Sequence, residues 1–183
     1  WKEIEDRFSH ELEFGTGGLR GIMGAGTNRM NQFTVSKITR GLGLFLLDTY
    51  GLEICGTRGI AVGYDTRRNS REFAQTAANV LSNMGIKVCL SSNAIPTPQL
   101  SFSVRYLKAL AGIIITASHN PKEYNGYKVY DEYGCQLVPE QADSVVRYIN
   151  TVGDYVTIDL KGQNNLIQSV DTTDEFVSAV TAQ

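Results

Sequence analysis

Ser118, His119 and Asn120 stand side by side, one alanine after the apolar run AGIIIT (residues 111–116) and just before Pro121. Connecting loops carry binding and catalytic groups more often than strand interiors do, so chemistry is sought here first. A Ser–His pair suits a hydrolase, but consecutive side chains diverge in extended backbone, which places His119 badly for taking the Ser118 proton. The nucleophile elbow G-x-S-x-G is also absent, because Thr116 and Asn120 stand where its glycines belong. A serine so placed can instead carry a phosphoryl group. That chemistry needs cations against the transferring charge and an acid/base for the acceptor hydroxyl. Lys128, expected beyond a tight Asn125-Gly126 turn, folds back toward the loop as the acid/base, and Arg20 supplies a cation.

Arg20 lies in FGTGGLRGIMGAGTNRMN (residues 14–31), which holds six glycines and a second arginine, Arg29. The dinucleotide fingerprint fails here, since Gly15 and Gly17 are followed by Arg20 where the third glycine is required. The phosphate loop of nucleotide hydrolases nearly fits at Gly21 and Gly26, but Thr27 replaces its lysine. What is left is a flexible backbone carrying an arginine, whose planar fork suits bidentate phosphate binding. The third cluster, GYDTRRNS (residues 63–70), ends a short apolar strand in Asp65, Arg67 and Arg68. Ligands favour the carboxyl ends of strands in open α/β sheets. An Asp–Arg pair that braces a loop is an equally good reading of those residues.

The elements that must position these groups alternate along the chain. Residues 33–50 show helical spacing of Val35, Ile38, Leu42, Phe45 and Leu46. A strand follows at 59–64, then a helix with a capping-box pattern at Asn69 and Glu72 that stops at Gly85. Further strands are expected at 86–90, 111–116 and 127–130, the second being the most apolar and hence central. Helices open at Thr97-Pro98, at Pro139, and at Thr172 with a capping-box partner in Glu175. This order predicts an α/β layer fold with a mostly parallel sheet and a mixed edge. Residues 151–171 read as an exit from the domain.

Composition narrows the function classes. With 17 basic and 19 acidic residues the net charge is −2, and the basic residues are scattered, so a nucleic-acid footprint is not expected. The longest apolar run, residues 109–115, is far too short to span a bilayer. Three cysteines (Cys55, Cys89 and Cys135) and two histidines (His10 and His119) show no metal-ligand spacing, which fits reduced thiols in a cytoplasmic protein.

TASHNPKEYNGYKVY, with Thr-Ala-Ser-His-Asn-Pro followed by Asn-Gly-x-Lys, resembles the phosphoserine loop of the α-D-phosphohexomutases, the family of phosphoglucomutase and phosphomannomutase. FGTGGLRG resembles that family's N-terminal arginine loop, and GYDTRRNS and Pro96-Thr97-Pro98 resemble its other first-domain marks. The resemblance covers residues 14 to about 150 and is nearest the long phosphoglucomutase branch, which includes phosphopentomutase-type enzymes.

The resemblance implies a three-layer α/β/α first domain over residues 1–150, with a linker and the truncated start of a second domain over 151–183. It implies that Ser118 carries phosphate and gives Mg²⁺ one ligand. Lys128 and His119 then assist proton transfer and charge stabilisation, while Arg20, with Asn120 and Arg67, binds phosphate. The implied substrate is a hexose phosphate, passing through a 1,6-bisphosphate intermediate, with glucose 1,6-bisphosphate as activator. Family members add three domains that bring a metal loop of the Asp-Gly-Asp-x-Asp-Arg kind, a sugar-reading loop and a phosphate clamp. This sequence contains none of the three, so the chain alone is expected to be catalytically silent. Phosphomannomutase or phosphopentomutase specificity, and a non-catalytic phosphosugar-binding module, stand as alternatives.

Overall fold

Two strands, Ile60–Tyr64 (β2) and Ala111–Ile115 (β4), are buried at every position, as apolar strands covered on both faces must be. They pair in parallel at the centre of a six-stranded sheet in the computed structural model, which describes residues 1–15, 18–153 and 155–183. Val88–Ser91 (β3) and Ile167–Val170 (β6) continue the parallel part on one side. Tyr124–Tyr130 (β5) and Gly18–Ile22 (β1) run antiparallel on the other, completing the order β1-β5-β4-β2-β3-β6. The sheet is thus mixed and mostly parallel, with the apolar 111–115 run at its centre as the sequence predicts.

Helices cover both faces. Gln32–Thr57 (α2), Ser70–Asn83 (α3) and Pro139–Thr151 (α5) share one core with Ile60, Val62, Ile113, Ile115, Tyr127 and Val129. Thr97–Tyr106 (α4) packs on the other face against Ala61, Ile114 and Tyr130. A short helix, Lys2–Phe8 (α1), precedes the sheet, and Thr173–Thr181 (α6) rests on α4, with Phe176 tilted against Phe102. Residues 151–183, read from sequence as a linker and the opening of another domain, contribute the edge strand β6 to this sheet and a helix that packs on α4.

Local chemistry explains the helix starts. Asn31 begins α2 with a reciprocal cap, its Oδ1 accepting from the amides of Phe33 and Thr34 while Thr34 Oγ1 accepts from the Asn31 amide. The first helical stretch ends where expected, at residue 50: Gly51, at φ 78°, leaves the helical region, and a second stretch continues beyond it to Thr57. The capping box expected at Asn69 is not made. Asn69 is left-handed, at φ 61°, and its side chain makes no cap; Ser70 instead donates to Asp65 Oδ1 at 2.6 Å. At α6 the cap falls to Asp171, which accepts from both the amide and the hydroxyl of Thr173, while Thr172 hydrogen-bonds Ser103.

The Asn125-Gly126 pair is not a turn. Both residues lie inside β5, and the reversal is made by residues 116–123. Asn125 is fully buried and donates to Arg68 O and Ser70 Oγ, each at 3.0 Å, tying β5 to the start of α3. A Cβ on Gly126 would stand 2.6 Å from Thr116 O and 2.8 Å from Leu19 O, so neighbouring backbones on both sides leave no room for one. Gly126→Ala is expected to destabilise the chain by about 2 kcal/mol, read as a lower urea midpoint, because rigid backbone must shift to admit the methyl group.

Candidate active site

The carboxyl ends of β2 and β4 open onto a cavity of about 990 Å³ whose walls include Asp65, Arg67, Arg68, Ser118, Asn120 and Lys122. That volume suits a small sugar ester. A second cavity of about 670 Å³ lies among Phe8, Met30, Phe33 and Phe73 and is far more apolar. Convergent polar and cationic groups place the candidate site in the first.

Ser118 leaves β4 three residues after Ile115 and adopts φ 56°, a left-handed conformation that a non-glycine residue enters only when its surroundings impose it. Its amide donates to Thr116 Oγ1 at 3.0 Å, and its side chain is exposed to the cavity. The same conformation overturns the sequence argument about His119. The backbone is not extended here, and Ser118 Oγ lies 3.3 Å from His119 Nδ1.

Arg67 imposes the conformation. Its Nη1 donates to the carbonyls of Pro121 (2.9 Å) and Tyr124 (3.2 Å), and its Nη2 to those of Ser118 (2.8 Å) and Asn120 (2.7 Å). The remaining N–H group, at Nε, stands 3.5 Å from Asp65 Oδ2. A guanidinium has five N–H donors, and all five face these acceptors. With both Nη groups committed to these carbonyls, Arg67 is held as a brace for the serine loop. Asp65 holds the brace in turn, its Oδ1 accepting from the Arg67 amide at 2.9 Å.

Arg20 is not on a flexible loop. It lies on β1 opposite Gly126, is exposed, and reaches Asn120 Oδ1 at 3.4 Å, which brings it to the edge of the serine loop. Thr16 and Gly17 of the same glycine-rich stretch lie outside the described residues. Arg29, by contrast, is buried and pairs with Asp6. Lys128 lies opposite both Gly18 and Ile114, two positions along β5 from Gly126 and on the same face as Arg20. It comes beside Arg20, without a hydrogen bond to Ser118. Among the described residues neither Arg20 nor Lys128 pairs with a carboxylate. Partial burial, and then the Arg20 charge, pull the Lys128 ammonium below its ordinary range.

Metal chemistry finds less support. Among the described residues there is no group of three or more His, Cys, Asp or Glu side chains that could hold an ion. Ser118 offers one oxygen, whereas Mg²⁺ asks for six octahedral ligands, so these residues alone do not fit a magnesium site. The cysteines are all free, with Cys55 and Cys89 buried and Cys135 exposed.

Two expectations follow from this geometry. Arg67→Lys replaces a five-donor fork by a three-donor point charge, and is expected to cost about 3 kcal/mol of loop closure. Hydrogen exchange should then show the amides of residues 118–124 opening well before the β2 and β4 core. Lys128, with a lowered folded pKa, binds its proton more tightly when unfolded. Its charge thus costs stability below the lowered pKa, and the cost fades as pH rises toward 10.5. Lys128→Met should raise the urea midpoint at neutral pH, with the gain shrinking as pH rises toward 10.5.

Comparison with known proteins identifies relatives of the chain. Residues 11–155 match the domain described as phosphoglucomutase/phosphomannomutase, alpha/beta/alpha domain I. A phosphoglucomutase of Staphylococcus epidermidis is 43% identical over 173 residues, covering 92% of this chain and 31% of the relative. A phosphoglucomutase of Staphylococcus aureus is 47% identical over 160 residues, covering 86% and 28%. A crystal structure from Thermus thermophilus described as that of a phosphomannomutase superposes with a TM-score of 0.80 at 32% identity, over 94% of this chain and 36% of that one. A Burkholderia thailandensis phosphoglucomutase/phosphomannomutase family protein shares the fold, with a TM-score of 0.68 at 20% identity over 93% and 35%. The chain spans about a third of the length of the curated relatives it matches. With the α/β/α sheet, the serine loop and the domain match in agreement, the chain belongs to the phosphoglucomutase/phosphomannomutase family and corresponds to its domain I.

Proposed function

We propose that this chain is the phosphoryl-carrying first domain of a phosphoglucomutase-like enzyme that moves phosphate between the 1- and 6-positions of a hexose phosphate. The observation that carries the reading is Ser118 itself: an exposed hydroxyl in a left-handed conformation, braced from behind by Arg67, in a cavity at the end of the central strand. In the proposed cycle, phosphoserine 118 transfers its phosphoryl group to the free hydroxyl of a bound sugar monophosphate. The Ser118 Oγ–P bond breaks, the acceptor O–P bond forms, and the acceptor proton passes to a base. The hexose 1,6-bisphosphate so formed turns over and returns its other phosphate to Ser118. His119 Nδ1, 3.3 Å from Oγ, suits delivery of a proton to the departing serine oxygen. Arg20, beside Asn120, and Lys128 next to it suit neutralisation of the phosphoryl oxygens.

Magnesium is part of the proposal only as an ion whose further ligands come from outside this chain, with the Ser118 phosphate as one donor. The domains that bring those ligands, read the sugar and clamp its phosphate are likewise proposed as partners, and residues 151–183 as the approach to them. The free cysteines fit a cytoplasmic setting.

The test is labelling of the full-length protein with radioactive glucose 1,6-bisphosphate, followed by peptide mapping. Label is expected on the peptide containing Ser118, lost entirely in Ser118→Ala and slowed about 10²-fold in His119→Ala. A preparation that binds the sugar phosphate yet leaves that peptide unlabelled would instead establish a phosphosugar-binding module.

A further inference from the structure

Arg67 and Arg68 are consecutive, yet the fold treats them in opposite ways. Every donor of Arg67 faces the serine loop or Asp65. Arg68 is exposed and lines the cavity, and among the described residues its side chain makes no hydrogen bond or ion pair. Its backbone is nonetheless fixed. The Arg68 carbonyl accepts from Nδ2 of the buried Asn125 at 3.0 Å, and the next residue is held left-handed. The result is a free guanidinium on a rigid pivot. Lys122 is its counterpart on the other wall, exposed and unpaired among the described residues, next to Pro121, whose carbonyl Arg67 holds. The cavity also contains Asp65, which Arg67 offsets, and Glu123, so the rim keeps a positive balance on a chain whose net charge is −2.

We propose that Arg68 and Lys122 are the cations that draw an anionic sugar ester into the cavity and steady its phosphate at the rim. They are distinct from the groups that act on Ser118, and their role rests on the phosphosugar reading given above. Charges lining a cleft with low-dielectric walls raise the local concentration of a dianion, and unpaired exposed cations exert this effect most strongly at low salt. Neither substitution threatens the fold, because Arg68 is anchored through its carbonyl and Lys122 is exposed.

The experiment is calorimetric titration of the full-length protein with glucose 1,6-bisphosphate, for the parent sequence, for Arg68→Gln with Lys122→Gln, and for Arg147→Gln, an exposed control on the distant helix α5. The double variant is expected to bind about tenfold more weakly at low salt, with the gap closing to about twofold near 0.3 M salt. The control should match the parent. Equal affinity of parent and double variant, or a loss that ignores salt, would overturn the proposal. Labelling of Ser118 in the same preparations separates the two readings. Weakened binding with no label leaves the rim cations standing and removes the phosphoryl carrier, whereas labelled Ser118 with unchanged affinity does the reverse.

Discussion

The guanidinium of Arg67 is the interaction on which the rest of the site depends. Four carbonyls between Ser118 and Tyr124 converge on it, and without a fork of that shape they would be poorly satisfied together. Convergent carbonyls repel one another, and a planar cation turns that repulsion into attraction. The loop then keeps a conformation in which Ser118 stays left-handed and its hydroxyl faces the cavity. Asp65 neutralises the brace from the β2 side, and Asn125 pins the same segment to β5 from beneath. Strand, helix start and loop are thus joined through one small polar network with no buried side-chain polar atom left unpartnered among the described residues.

Around that network the sheet divides its labour by face. The α2–α3–α5 face is dense and apolar, and it fixes where the strands end. On the other face α4 covers β2 and β4, while β1 and β5 carry Arg20 and Lys128 side by side. Placing two cations together without a carboxylate is unfavourable by itself, and the Arg20 charge adds to partial burial, the larger cause, in lowering the Lys128 pKa. Such an arrangement is relieved when an anion arrives, as a phosphate on the neighbouring serine loop would. The stability lost in the empty site is the counterpart of binding strength in the filled one.

Much of this was legible in the sequence. Apolar runs located β2 and β4, helical spacing located α2, Pro139 marked the start of α5, and the central place of residues 111–115 followed from their continuous hydrophobicity. Ser118 was found because it follows that strand. Three features were hidden, each for a physical reason. Asn125-Gly126 carries turn chemistry but is used for packing, since Gly126 lets Thr116 and Leu19 approach and Asn125 bridges to α3. The β1 strand was masked by its glycines, which allow close pairing with β5 and leave no alternating pattern. The roles of Arg67 and Arg68 depend on which guanidinium the loop closes around, and that is a tertiary fact. For Asp65 and Arg67 the bracing reading is supported by the four carbonyls on the Arg67 Nη groups and the ion pair at Nε.

The most direct test of the central claim is a phosphorus NMR titration of the protein carrying phosphate on Ser118. A phosphate seated against Arg20 and Lys128 should lose its second proton well below the value of about 6 for free phosphoserine, and Arg20→Met should return it toward that value. A resonance that titrates like free phosphoserine and ignores Arg20→Met would contradict the account, because the paired cations on β1 and β5 would then not be the seat of the phosphate.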